Sequence, residues 1–135
     1  MRIIMKTSAI AISISALLLF GCGGSGSSSS VSDFNGSYNL AATSTTAKDI
    51  FGGVCGNAAG TMAATDGRLS GTIIDTWGNM FGILGEVDAK GAVSGGFALS
   101  EGNVATFSGT ISGNTITGTW TDIYQCAGDW QATKI

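Results

Sequence analysis

The sequence has no proline and no histidine, and only 11% of its 135 residues are charged. Without proline, collagen-like and Pro-rich disordered classes are excluded, since both depend on it. Without histidine, the commonest general base and the commonest metal ligand disappear together. Six basic against nine acidic residues leave a net charge of −3, which excludes the broad basic footprint of a nucleic-acid binder. Long hydrophobic runs are also missing. The apolar stretch from Ala9 to Phe20 is interrupted by Ser13 and Ser15, and it is shorter than the roughly 20 residues a membrane span needs. What the chain has in abundance is glycine, 22 residues, about twice the ordinary share.

The N-terminal quarter divides by composition. Arg2 and Lys6 precede the apolar stretch and small residues follow it, the layout of a secretory signal. Leu19-Phe20-Gly21-Cys22 resembles the lipobox of bacterial lipoproteins. That resemblance implies removal of residues 1–21 as a signal peptide, palmitate-type acylation of Cys22 and attachment to a membrane. Several acyl chains make such attachment stable where one does not. Residues 22–33 then read as the lipidated cysteine and a flexible linker, Gly23-Gly24-Ser25-Gly26-Ser27-Ser28-Ser29-Ser30 being a coil that reaches about 15–20 Å. The mature chain keeps four bases, Lys48, Arg68, Lys90 and Lys134, against nine acids, a net charge of −5. An anionic body does not adhere to an anionic bilayer, so the lipid would do the anchoring. The expected location is the bacterial cell envelope. In the lipoproteins that the lipobox resembles, an Asp directly after the lipid-bearing Cys typically signals inner-membrane retention, so Gly23 at that place implies, by the same resemblance, the outer membrane if the host is Gram-negative.

From residue 34 to 135 the pattern is alternation, with one five-residue unit repeated: apolar, x, Gly, x, apolar. Its copies begin at Phe34, Ala58, Leu69, Ile83, Val93, Phe107, Ile116 and Cys126. Residues two apart in a strand share a face, so each copy places apolar, Gly, apolar on one side and mainly Ser, Thr, Asn or Asp on the other. Turn signals separate the copies: Asp66-Gly67, Asp88-Ala89-Lys90-Gly91, Glu101-Gly102-Asn103 and Ser112-Gly113-Asn114. Eight consecutive short strands predict an all-β, eight-stranded antiparallel up-and-down barrel, which leaves no exposed edge. A glycine at each inward centre lets the sheet bend or another backbone approach.

Cys55 and Cys126 remain once Cys22 is assigned to lipid, and in an exported protein a disulfide is the default. Cys55 lies in the link between the first two strands and Cys126 in the link between the last two. Ring closure is what brings those links together, so the barrel and the disulfide predict each other.

The links at the disulfide end (the top) are longer and more aromatic than those at the bottom. Residues 43–57 carry Ile50 and Phe51, residues 75–80 carry Trp77, and residues 122–125 carry Ile123 and Tyr124. Binding residues concentrate on loops held by a rigid scaffold, and barrel mouths are habitual ligand sites. The inward residues expected in the upper half are Tyr38, Leu40, Ile73, Phe81, Ile83, Phe97, Phe107 and Trp120, with Asp122 at the rim. An eight-stranded interior is just wide enough either to pack or to hold one small ligand, and the simpler expectation is that these side chains fill it. Trp77 reads equally as a contact residue or as a lid folded over the barrel end. Candidate contacts are therefore Trp77, Phe51, Tyr124, Trp120, Asp122 and Tyr38.

Catalysis finds little support. Serine lacks a histidine base and the thiols are consumed, although Asp75 and Asp122 at one end form a conceivable acid–base pair. No cofactor, no metal and no nucleic acid are expected. The strand units Gly71-Thr72-Ile73, Gly109-Thr110-Ile111, Gly118-Thr119-Trp120 and Gly128-Asp129-Trp130 look like those of small avidin-like and lipocalin-like meander barrels, a resemblance that implies a binding fold without transferring particular binding residues. The combination of lipobox, Ser-rich tether, short barrel and one disulfide also looks like small periplasmic lipoproteins that inhibit lysozyme. Three readings follow. The first is an interaction or inhibitor module acting through the top loops, which the sequence favours. The second is a binder of one small apolar ligand in the barrel mouth. The third is a carboxylate hydrolase.

Overall fold

A computed structural model describes residues 30–99 and 102–135. The expected signal segment, Cys22 and most of the linker lie outside the described residues. Eight antiparallel strands follow one another around a closed barrel: β1 (Gly36–Ser44), β2 (Ala58–Thr65), β3 (Arg68–Asp75), β4 (Met80–Val87), β5 (Ala92–Leu99), β6 (Gly102–Ser112), β7 (Thr115–Asp122) and β8 (Ala127–Lys134). Each of the eight repeat units contributes to one strand. β1 and β8 close the ring in a register running from Tyr38 opposite Lys134 to Ser44 opposite Gly128. The barrel and its single disulfide, Cys55–Cys126 across 71 positions, are as the alternation and cysteine placement predict.

Polarity follows the period of two. Buried and exposed positions alternate along β1, and the inward residues Leu40, Met62, Leu69, Ile73, Ile83, Phe107 and Ile116 form one continuous core. The outward face is largely hydroxyl-bearing, for example Thr117, Thr119 and Thr121 on β7. This is the reverse of the polarity that a bilayer-spanning barrel requires. No helix among the described residues is long and apolar enough to cross a membrane.

The inward glycines admit large rings. Gly85 pairs with Gly95, and Gly109 with Gly118. A Cβ at Gly95 would lie 2.6 Å from the Phe107 ring, and one at Gly109 would lie 3.0 Å from the Trp130 indole. Phe107 and Trp130 pack edge to face, with ring centroids 5.3 Å apart. Two glycine pairs thus replace four side chains with two aromatic ones, which fits a narrow closed sheet.

The lower end is sealed. Ser30 caps a short 3₁₀ turn, Val31–Phe34: its hydroxyl accepts from the Ser32 N–H at 3.1 Å, and its own N–H donates to Asp33 Oδ2 at 2.8 Å. The last residues of the expected linker are therefore built into the domain. Val31 rests near Gly67 and the Phe34 ring near Gly91, so the chain enters the barrel at this closed end. Tyr38, wholly buried, donates its hydroxyl to the Phe34 carbonyl at 2.8 Å. Burial raises the Tyr38 phenol above its ordinary pKa.

Candidate functional site

The upper end is open. A cavity of about 410 Å³ sits between the long links, so the side chains do not fill the lumen throughout as the simpler expectation held. Its wall is formed by Ile73, Phe81, Phe97, Val104 and Trp120, and its lip by Asp49, Cys55, Asp75, Trp77, Asp122 and Tyr124. The volume falls within the usual range for small-molecule sites, about 300–1,000 Å³. Packing below and vacancy above have a common origin. The lower half receives Tyr38 and the flanking apolar residues, whereas the upper inward positions include the small residues Ala42, Ala58 and Ala105.

Three turns build the lip, and they repeat one design. In Asp49–Gly53, Asp75–Asn79 and Asp122–Cys126 the aspartate Oδ1 accepts two backbone N–H bonds, from the second and fourth residues that follow, at 2.8–2.9 Å. The fourth residue of each turn takes a positive φ, at Gly52, Gly78 and Gln125. The aspartate thus substitutes for missing backbone partners and fixes the loop. The residue that carries the first bonded amide is exposed, and in the three turns it is Phe51, Trp77 and Tyr124. A fourth copy, Asp88–Ala92, lies at the closed end with Lys90 in that place. There the amide of Ala92, with those of Lys90 and Gly91, holds the Asp88 carboxyl below its ordinary pKa.

The sequence-selected residues separate into three groups. Trp77, Tyr124, Trp120 and Asp122 come together around the cavity. Trp120 is 9% exposed in the wall, its indole N–H donating to the Thr43 carbonyl at 3.3 Å. Trp77 is 59% exposed and leans its six-membered ring against Gly56 instead of plugging the opening. Phe51, 78% exposed, lies outside the cavity and meets the Tyr124 ring edge-on at a centroid distance of 6.1 Å. Tyr38 is at the opposite end, sealing the floor, which corrects its expected place in the upper half. β1 starts at the closed end, so a position early in that strand is low.

Sequence reasoning missed Val54, Leu99 and Val104 as lining residues. Leu99 is in phase with Phe97 and was readable by alternation. Val104 is not: the β5–β6 register shifts between Phe97 and Ala98, and its carbonyl is held by the Ile123 N–H at 3.0 Å. Asp75 and Asp122 share the lip, each committed to its own turn. Among the described residues no three of His, Cys, Asp and Glu converge to hold a metal.

Neither a protein-family model nor a curated protein matches the chain. Among solved structures it is similar to a de novo designed fluorescence-activating β-barrel, with a TM-score of 0.51 at 10% identity, over 78% of this chain and 98% of that one. At that identity the likeness is one of fold: a small closed β-barrel.

Proposed function

We propose that this protein is an envelope lipoprotein whose barrel binds one small apolar molecule in its open mouth. The observation that carries the reading is the 410 Å³ cavity at the long-loop end, with an apolar wall and a lip of pinned turns. A site on turns locked by paired backbone bonds is preorganised, which lowers the ordering cost of binding. The lipobox-like Leu19-Phe20-Gly21-Cys22 supports a lipid anchor. With the chain entering at the closed end, an anchored barrel would turn its mouth away from the bilayer.

Calorimetric titration with neutral hydrophobes of about a dozen heavy atoms, such as 1-naphthalenemethanol, tests the binding. A single site is expected, lost in Ala105→Trp, which fills the cavity. Absence of binding across a broad hydrophobe panel contradicts the reading. For the anchor, processing should be globomycin-sensitive and Cys22→Ser should abolish the lipid mass; an unchanged mass refutes it.

A second reading, an interaction module, draws on a separate observation. Ile50, Phe51, Trp77, Ile123 and Tyr124 are all exposed on the same three turns, and aromatic side chains on rigid loops are common anchors at interfaces. A pull-down partner lost on Phe51→Ala supports this reading, because Phe51 stands outside the cavity.

A further inference from the structure

The cavity wall is apolar, but the charge around its lip is of one sign. Asp49, Asp75 and Asp122 line the cavity, and no Lys or Arg does so among the described residues. Lys48 is adjacent in sequence to Asp49 but is not part of the lining. The remaining polar side-chain groups of the lining are the amides of Asn57 and Asn79, the phenol of Tyr124 and the indole N–H groups of Trp77 and Trp120. Of these, Asn79 Nδ2 already donates to Asp75 Oδ2 and Trp120 Nε1 to the Thr43 carbonyl. Ionised carboxylates accept hydrogen bonds and cannot donate them, so the lip matches a head group that donates. An ammonium or hydroxyl does so; an ionised carboxylate offers a fourth carboxylate acceptor and a like charge. Size sets a second limit. At about 30 Å³ per water, 410 Å³ corresponds to roughly fourteen water-sized units, enough for a fused bicyclic skeleton and too little to enclose a long acyl chain.

Resting on the ligand-binding reading, we infer that the mouth selects compact hydrophobes with a neutral or cationic donor head and rejects the corresponding carboxylates. The apolar wall supplies the affinity by removing ligand surface from water. The three carboxylates supply the discrimination, acting over distances that salt screens at about 10 Å in 0.1 M electrolyte. This selectivity runs against anionic lipids and fatty acids, whatever their chain fit.

The test compares 1-naphthylmethylamine, 1-naphthalenemethanol and 1-naphthoate, which share one skeleton, by calorimetry on the full mature chain. At low salt the amine should bind about five-fold or more tighter than the carboxylate, with the alcohol between them. The ratio should fall toward one in 1 M salt and in the variant combining Asp49→Asn, Asp75→Asn and Asp122→Asn, in which the side-chain carbonyls still cap the turns. If that variant fails to fold, the salt titration of the wild type decides alone. Equal binding of amine and carboxylate at low salt, tighter binding of the carboxylate, or a salt-independent ratio overturns the selectivity while leaving the binding site standing. Failure of all three, the alcohol included, overturns the binding reading itself.

Discussion

The Trp130 indole occupies the space that a side chain at Gly118 would need: Nε1 lies 2.6 Å from where a Gly118 Cβ would be, and donates to the Ser108 carbonyl at 3.1 Å. Together with the Ser108 backbone carbonyl, which comes nearer still to that position, this contact explains why the inward centre of β7 is glycine. Gly118→Ala would force the ring or the neighbouring backbone to move, costing about 2 kcal/mol or more and lowering Tm by roughly 10 °C in a domain of this size. Gly82→Ala is the control. Gly82 faces outward with its nearest neighbour at 3.8 Å, and the substitution should change stability by less than about 0.5 kcal/mol. Similar thermal shifts for the two variants would contradict the assignment.

The disulfide ties the first long link to the last across the mouth. Closing 71 positions removes chain entropy from the unfolded state worth about 4 kcal/mol. Replacing Cys55 and Cys126 together by Ser should lower the urea-unfolding free energy by about that amount. A loss below about 1 kcal/mol would mean that ring closure alone holds the two links together.

Trp77 and Phe51 occupy the same place in successive copies of the aspartate turn, but only Trp77 reaches the cavity. Trp77→Ala should weaken a cavity-bound hydrophobe about five-fold, through loss of aromatic contact worth about 1 kcal/mol. Phe51→Ala should leave that affinity unchanged. The reverse order, measured by titration with 1-naphthalenemethanol, would shift the site from the cavity to the outer rim.

Tyr38 gives the fold an alkaline limit. In the unfolded chain the phenol ionises near pH 10, whereas burial keeps it protonated to higher pH in the native barrel. Between those values the unfolded state has released a proton that the native state retains, so stability falls as pH rises. Denaturation from pH 8 to 11 should show this loss, and Tyr38→Phe should flatten it at a cost of about 1 kcal/mol for the lost hydroxyl bond. An equally steep alkaline limb in the variant would assign the effect elsewhere.

The repeat was legible because strand alternation and inward glycines are both written at spacing two. It carries the face of each residue but not its height, which is how Tyr38 came to be expected at the wrong end. The aspartate turns were half visible. Asp-x-x-Gly marks 49–52, 75–78 and 88–91, while Gln125 stands at φ 69° where the other turns use glycine and hides the fourth. Val104 enters the lining through a register shift that no local pattern announces. Whether the lumen is filled depends on the summed volumes of Ala42, Ala58, Ala105 and their neighbours across four or more strands, a quantity fixed only once register and closure are known.

The three tryptophans make the central claim measurable in one spectrum. Trp77 and Trp120 line the cavity, whereas Trp130 packs over paired glycines outside it. In a two-dimensional nitrogen–proton NMR titration with 1-naphthalenemethanol, the indole N–H signals of Trp77 and Trp120 should shift and saturate together while that of Trp130 stays in place. Stationary Trp77 and Trp120 signals at saturating ligand, or equal shifts in all three, would contradict a binding site in the open mouth.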